Sequence, residues 1–275
     1  MIFRLAALFA ALAVVTPASA APAPATPGTR LVLVGGGERP GDAVARFVAW
    51  AGGPAARILV LTWASSEPKE SGESLAAEMR ALRPAEVEIG PQAVLDAKGK
   101  AAPLDAGQLA ATAAALARAS GVFFTGGEQA RVMDALGDSP LLGELRARYA
   151  KGTVFGGTSA GTAIMSAIMI TGEGDFTVID ATKVEVKPGL GLVPGVIVDQ
   201  HFVKRQRENR LFGLVLAHPE LRGVGINEDT ALLVEDGHRG EVVGAGPVML
   251  VDAKGPDRLE ITLLRPGQKV DLAKR

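Results

Sequence analysis

The 275-residue sequence predicts a doubly wound α/β fold: a mainly parallel sheet with helices on both faces and a mixed or antiparallel C-terminal extension. Short, continuous apolar runs that stop at glycine or small polar residues are typical of strands buried on both faces. Segments with helical periodicity separate these runs, and this alternation builds parallel sheets. In such sheets, ligands bind at the carboxyl ends of the strands.

The first half of the chain alternates predicted strands and helices. Residues 31–34 are Leu, Val, Leu and Val, and this run stops at the three glycines of residues 35–37. Further strands are predicted at residues 57–62, 87–89, 122–125 and 153–155, and helices at residues 42–50, 71–82, 108–120, 129–136 and 141–149. This rhythm indicates successive parallel strands joined by crossover helices.

Beyond residue 170 the pattern changes to shorter strand-like pieces. These are residues 177–179, 184–186 and 196–198, and a basic helix is predicted from about residue 203 to residue 217. The C-terminal third predicts strands joined by turns at residues 223–226, 231–234, 241–243, 248–251 and 259–264. We expect these strands to extend the same sheet.

The N-terminal segment, residues 1–20, is predicted to be a secretory signal peptide. It contains Arg4, an apolar run and the small-x-small sequence Ala18, Ser19, Ala20 before Ala21. The apolar run is too short to span a bilayer stably. Residues 21–29 predict an Ala- and Pro-rich linker, which leaves residues 30–275 as a single domain. The expected protein is exported to the periplasm or the medium and has no stable membrane anchor.

The composition excludes several functional classes. The chain has 29 basic and 30 acidic side chains, so nothing supports binding to nucleic acid or to an anionic membrane. It has no cysteine, which excludes disulfides, thiolate nucleophiles and cysteine metal sites. Aromatic residues make up only 4%, which argues against an aromatic-lined sugar or base groove. The oligomeric state stays open, with a homodimer as one expectation.

A serine lies in the middle of a cluster of small residues between a predicted strand and a predicted helix. Gly157, Ser159 and Gly161 fit the G-x-S-x-G pattern of a nucleophile elbow, in which small neighbours let the chain turn sharply and expose one hydroxyl. The alternative is that the glycines serve only strand-to-helix packing and that Ser159 caps the helix. The pattern alone does not separate the two interpretations.

A serine nucleophile needs an imidazole to remove its proton, and that imidazole needs an acceptor. Three histidines are available. His218 lies at a predicted helix end and His238 in an evident turn, so both have ordinary structural explanations. His201 follows an apolar strand, where an α/β sheet binds its substrates. Either Glu228 or Asp229, both near another strand end, could orient it.

A basic run follows His201 and contains Lys204, Arg205, Arg207 and Arg210. On a helix, Arg207 and Arg210 share a face because they are three residues apart. A charge run of this kind is usually a solvated face. Guanidinium groups close to a candidate base are also what a pocket for carboxylates uses.

Four motifs, in this order along the chain, together resemble the cyanophycinase family of serine peptidases, which also contains the aspartyl dipeptidases. They are residues 123–129, residues 156–161, residues 199–202 with the arginines that follow, and residues 225–231. The resemblance implies a fold similar to class I glutamine amidotransferases. It also implies the chain order serine, histidine, acid, which differs from the serine, acid, histidine order of α/β-hydrolases.

The resemblance also implies roles for individual residues. Ser159 would be the nucleophile, His201 the general base and then acid, and Glu228 the group that orients His201. The backbone N–H groups of Ala160 and of the glycine pair that ends in Gly127 would form the oxyanion hole. The positions associated with the substrate pocket are Gln129, Asp199, Gln200, Arg205, Arg207 and Arg210. No metal or organic cofactor is implied.

The function implied is that of an exported serine peptidase cleaving bonds next to aspartyl residues, above all in cyanophycin, an arginine-bearing polyaspartate, to give β-Asp-Arg dipeptides. One alternative is an aspartyl or isoaspartyl dipeptidase. Another is a non-catalytic binding module in which residues 35–37 cradle a phosphate, although this run lacks the lysine of a P-loop. Glu128 and Asn227 depart from the aspartates usual at their positions in the family, and both bear on what the pocket accepts.

Overall fold

The computed structural model describes residues 28–274, so the predicted signal peptide and residues 21–27 of the predicted linker lie outside the described residues. The strands are β1 (Arg30–Val34), β2 (Arg57–Leu61), β3 (Glu86–Ile89), β4 (Gly121–Phe124), β5 (Val154–Thr158), β6 (Ile168–Gly174), β7 (Val184–Pro188), β8 (Val196–Gln200), β9 (Arg222–Ile226), β10 (Thr230–Glu235), β11 (Arg239–Gly244), β12 (Val248–Gly255), β13 (Arg258–Leu264) and β14 (Lys269–Asp271). The α-helices are α1 (Gly41–Trp50), α2 (Pro68–Arg80), α3 (Ala106–Arg118), α4 (Gln129–Leu136), α5 (Leu141–Ala150), α6 (Ala160–Ala163) and α7 (Glu208–Ala217).

The central sheet has the order β14-β11-β10-β1-β5-β4-β2-β3 within residues 28–274. The five strands from β1 to β3 in this order are parallel to their neighbours. On the other side of β1, the strands β10, β11 and β14 continue the sheet in antiparallel pairing. The predicted class, a mainly parallel α/β sheet with an antiparallel C-terminal extension, is confirmed.

Burial on both faces explains why the strands appear in the sequence as continuous apolar runs. In β1, Leu31 and Leu33 pack into one apolar core, whereas Val32 and Val34 pack into the other. All four side chains are fully buried. Since successive side chains of a strand point to opposite faces, each face of β1 must be covered. Helices pack over both faces of the sheet, as the prediction requires.

Some of the C-terminal strands form a second sheet instead of extending the first. This sheet has the order β13-β12-β9-β8 in the described part of the chain, and β8 is parallel to β9. Of the C-terminal strands within residues 28–274, only β10, β11 and β14 extend the central sheet. Alternating apolar residues predict that a segment is a strand, but its partner is chosen by contacts far away in sequence. The second sheet brings β8, and with it residues 199–201, beside the end of β1.

The segment between α6 and β8 differs from the prediction. Residues 177–179 are not a strand but part of an exposed connection in the β6–β7 hairpin, where the side chains of Asp175 and Asp180 accept backbone N–H groups of the turns. Strand β6 was not predicted, because Gly172 and Gly174 interrupt its apolar pattern. Residues 202–206 form turns, so α7 begins at Glu208 rather than near residue 203.

None of the helices within residues 28–274 is long and apolar enough to cross a membrane.

Candidate active site

The carboxyl ends of three strands meet at one place. Ser159 follows β5, and its N–H donates to Val34 O at the end of β1 (3.0 Å). His201 follows β8, and its N–H donates to Gly35 O, the next residue of the same β1 end (2.7 Å). The end of β1 therefore holds both the serine and the histidine by backbone hydrogen bonds.

Ser159 lies on a sharp turn of the kind that the G-x-S-x-G pattern predicts. Its backbone has φ 54° and ψ −114°, a region that non-glycine residues rarely occupy. A side chain on Gly157 would overlap Gly161 O, and one on Gly161 would overlap Phe124 O, so both positions require glycine. The Ser159 side chain does not cap α6. The helix-capping interpretation therefore fails, and the hydroxyl is free for another partner.

Ser159, His201 and Glu228 form a continuous hydrogen-bonded row. The hydroxyl of Ser159 lies 2.8 Å from His201 Nε2, and His201 Nδ1 lies 2.7 Å from Glu228 Oε1. With Nδ1 protonated and donating to the carboxylate, Nε2 is free to accept the serine proton. Asp229, the other acid left open by the sequence, instead accepts the N–H of Glu38 through Oδ1 (2.6 Å).

The surroundings favour the neutral form of the His201 imidazole. Burial lowers the pKa of His201 below its usual value of 6.5, and the nearby cations Arg205 and Arg207 lower it further, although the hydrogen bond to Glu228 acts in the opposite direction. The same hydrogen bond lowers the pKa of Glu228, which keeps this carboxyl ionised. Near neutral pH, an imidazole base therefore faces the serine hydroxyl and a carboxylate supports it.

Glycines let the loop after β4 approach Ser159. A Cβ on Gly126 would lie 3.3 Å from the Cβ of Ser159. Gly127 has φ 136°, and any side chain there would overlap Ala64 O. Ala160 is the first residue of α6, where backbone N–H groups lack acceptors within the helix. The expected oxyanion-hole residues, Gly127 and Ala160, thus lie in the two segments that meet at the serine.

Four of the six expected pocket residues are buried, and three of these, Gln129, Asp199 and Arg210, bond to each other or to β6. Arg210 is fully buried and binds both carboxylate oxygens of Asp199, and its Nη1 also donates to Thr171 O (3.3 Å). Gln129 is buried as well, and its Nε2 donates to Ile170 O (2.6 Å). Direct contact between substrate and Asp199 or Arg210 does not fit this burial. Their bonds instead fix β8 and the β6–β7 hairpin next to the candidate site.

The other three expected pocket residues lie closer to the serine or to solvent. The Gln200 side-chain oxygen is 3.4 Å from Ser159 Oγ. Arg207 is partly buried, donates to Gln200 O (2.8 Å), and has its pKa lowered by burial to about 10, so it remains a cation at neutral pH. Arg205 is exposed, and its charge acts on both His201 and Glu228.

The other two histidines lie in different surroundings. His218 Nδ1 is 3.5 Å from Glu220 Oε1 in an exposed pair at the end of α7. His238 Nδ1 is 2.8 Å from Asp236 O in the turn between β10 and β11. Both therefore lie in ordinary local surroundings, and His201 alone of the three bonds to Ser159.

One contact of the candidate site was not predicted from the sequence. A side chain on Gly36 would overlap the imidazole of His201, so the backbone of the glycine run packs directly against the candidate base. The sequence does show three consecutive glycines at the end of β1. The use considered for them there was a phosphate cradle in a non-catalytic binding module. Their close approach to His201 supplies a different reason for the missing side chains.

A serine, a histidine and a carboxylate in one hydrogen-bonded row at the strand ends of an α/β sheet are the arrangement of a serine-type hydrolase. The chain belongs to peptidase family S51, whose sequence model matches residues 64–242, and it is therefore a serine-type peptidase. It is 36% identical over 228 residues to cyanophycinases of Trichormus variabilis and of Nostoc sp., and the match covers 82% of this chain and 74% of each relative.

Its fold is similar to that in the crystal structure of a peptidase from an acI-B1 Actinobacterium. The TM-score is 0.65 and the identity is 21%, over 90% of this chain and 98% of that one. At this identity the likeness concerns the fold alone.

Proposed function

We propose that this protein is an exported cyanophycinase that hydrolyses the arginine-bearing polyaspartate to β-Asp-Arg dipeptides. The single observation that carries the chemistry is the row Ser159, His201, Glu228, with separations of 2.8 and 2.7 Å. The two cyanophycinase relatives support the choice of substrate. The proposed route passes through an acyl-enzyme on Ser159.

In the first half of the reaction, Ser159 Oγ attacks the carbonyl carbon while its proton moves to His201 Nε2. The negative oxygen of the tetrahedral intermediate lies between the backbone N–H groups of Ala160 and Gly127. The intermediate collapses, the carbon–nitrogen bond breaks, and His201 gives its proton to the leaving amine. Glu228 stabilises the imidazolium that exists between these two proton transfers.

In the second half, His201 takes a proton from water, and the resulting hydroxide attacks the acyl carbon. The new intermediate collapses, and the bond to Ser159 Oγ breaks. His201 returns the proton to the serine. The net reaction consumes one water per bond, and it needs no group other than these side chains and backbone N–H groups.

The exposed guanidinium of Arg205 is proposed to bind a carboxylate of the substrate. In β-Asp-Arg units, each arginine is joined through its amino group and keeps a free carboxylate, so the polymer offers anions at every unit. Arg205 is the exposed arginine of the basic run, whereas Arg210 is fully buried against Asp199. We assign Asp199 and Arg210 the role of holding β8 in place.

The test of the substrate is release of β-Asp-Arg from insoluble cyanophycin, measured by mass spectrometry and compared with cleavage of Asp-Xaa and isoaspartyl dipeptides. We expect the polymer to be cleaved. We also expect the active protein in the extracytoplasmic fraction, with Ala21 as its first residue. The Ser159→Ala protein serves as the blank. Cleavage of dipeptides alone would make the protein a dipeptidase, and a chain retained in the cytoplasm from Met1 would contradict export.

Substituting Arg205 with glutamine is expected to raise KM for acidic substrates about three- to tenfold, the size of an ordinary net hydrogen bond, because solvent weakens an ion pair of this exposed side chain. Because the Arg205 charge lowers the pKa of His201, its removal should also move the acid limb of kcat/KM to higher pH, towards 6.5. Initial rates over pH 4 to 8, at about unit intervals, measure both effects.

Lys204→Gln is the matched control for Arg205. It removes one positive charge from the residue that precedes Arg205, and the Lys204 cation acts on the Glu228 carboxyl. We expect a smaller shift of the acid limb in this variant. Equal effects of the two substitutions on KM and on the acid limb would mean that the basic run contributes only a general positive field.

A further inference from the structure

We propose that residues 35–38 and Asp229 form a clasp that positions His201 and shields its ring from water. We call this unit the glycine clasp. Its catalytic meaning rests on the function proposed above, in which His201 is the base. The parts of the clasp act through His201 and form or break no bond in the reaction, so they are positioning residues.

The first half of the clasp lies directly against the imidazole. A Cβ on Gly36 would overlap the Cε1 and Nε2 atoms of His201, so this glycine fills the space beside the ring with backbone only. Its φ of 107° is also a conformation that favours glycine. Gly35 O accepts the N–H of His201 (2.7 Å), which fixes the backbone of the histidine to the same loop. Gly36 and His201 are both buried.

The second half of the clasp is Asp229, which closes the loop on the side of the acid. Its Oδ1 accepts the N–H of Glu38 (2.6 Å), and its own N–H donates to Gly36 O (2.9 Å). It follows Glu228 directly, so one short turn carries both the partner of His201 Nδ1 and the anchor of the clasp. Gly37 must be glycine here, because a side chain would overlap Asp229 Oδ1.

The clasp has a consequence for the protonation of His201. The charged groups that act on the ring are Glu228, which raises its pKa, and Arg205 and Arg207, which lower it; burial is the largest cause of the lowering. Asp229 is not among these groups. If the clasp opens, water reaches the ring and removes part of the burial that lowers the pKa of His201, so this pKa rises.

The protein contains a matched control for Asp229 at the other end of β10. Asp236 has φ 53°, compared with 55° for Asp229. Its Oδ1 accepts the N–H of Gly28 (2.6 Å), and its own N–H donates to Thr29 O (2.8 Å). Both aspartates thus tie one end of β10 to the adjoining end of β1. Asp236 lies at the amino end of β1, away from the candidate site.

The experiment compares Asp229→Ala, Asp229→Asn and Asp236→Ala in the folded protein. Titration of the labelled imidazoles by NMR gives the pKa of His201, and initial rates give kcat and KM. For Asp229→Ala we expect a higher His201 pKa and a kcat lowered about tenfold or more, since small misplacements of a base are costly. Asp229→Asn keeps an oxygen acceptor for Glu38 N–H and should restore most of kcat. Asp236→Ala should lower the melting temperature only.

Gly36→Ala is the second variant and tests the clasp without touching Asp229. The added methyl group must displace the imidazole, so we expect a loss of kcat at nearly unchanged KM. The proposal is overturned if folded Asp229→Ala and Gly36→Ala keep the wild-type His201 pKa and kcat, or if Asp236→Ala changes both as much. The NMR titration needs only folded protein, so it tests the clasp even if wild-type protein cleaves no peptide.

Discussion

The Ser159→Ala protein is expected to lose about 10⁶-fold in kcat, the size found when a serine nucleophile is removed from a hydrogen-bonded triad. Ser159 carries the one hydroxyl of the row Ser159, His201 and Glu228, so no other group of the row can form the acyl-enzyme. The fold should survive, because the Ser159 side chain does not cap α6 and its removal leaves the backbone bond from Ser159 N–H to Val34 O intact. Turnover of cyanophycin and labelling by a fluorophosphonate probe measure the loss, and the melting temperature measures the fold.

Ser66→Ala controls for labelling of any accessible serine, since Ser66 is exposed in the loop after β2. This variant should be labelled at the wild-type rate. The nucleophile is misassigned if two results occur together. Ser159→Ala would keep measurable turnover or its covalent label, and Ser66→Ala would lose its turnover or its label. If wild-type protein takes no label at all, the chain is a binding module that retains the fold.

The parts of the fold that were predicted from sequence are those in which local pattern and tertiary environment agree. Strand β1 is an example, because burial on both faces demands four apolar residues in a row and the following glycines end the run. The hairpin of β6 and β7 is the opposite case. Val178 and Ile179 look like a strand but are exposed in the connection, at 38% and 53%. The second sheet was not predicted, because the strand with which each strand pairs depends on contacts distant in sequence.

The candidate site likewise has residues that could be predicted from the sequence and residues that could not. The glycines around Ser159 and the strand-end position of His201 are local features, so both residues could be proposed from the sequence. The choice between Glu228 and Asp229 could not be made from their neighbourhood, since both follow β9. The structure places Glu228 at His201 Nδ1 and Asp229 at the N–H of Glu38. The burial of Arg210 could not be predicted from the sequence either, because it depends on where α7 begins and on the position of Asp199.

Replacing Glu228 with glutamine is expected to lower kcat about 10³- to 10⁴-fold with little change in the fold. A glutamine amide that turns its NH₂ towards Nδ1 selects the tautomer with the proton on Nε2, and that nitrogen can no longer accept the proton of Ser159. The amide also cannot stabilise the imidazolium as a carboxylate does. Because the Glu228 side chain is 24% exposed, water replaces part of its effect, which places the loss below that of Ser159→Ala.

The pH dependence gives this substitution a second, independent readout. In the wild-type protein, Glu228 raises the pKa of His201 through its hydrogen bond and its charge, against burial. Without it the pKa falls further below 6.5, so the acid limb of the residual kcat/KM should move to lower pH. Glu220→Gln is the matched control, since Glu220 pairs with His218 at 3.5 Å on the surface. Wild-type kcat in Glu228→Gln, or an acid limb that moves upwards, would contradict the orienting role, because a carboxylate beside Nδ1 can only favour the protonated ring.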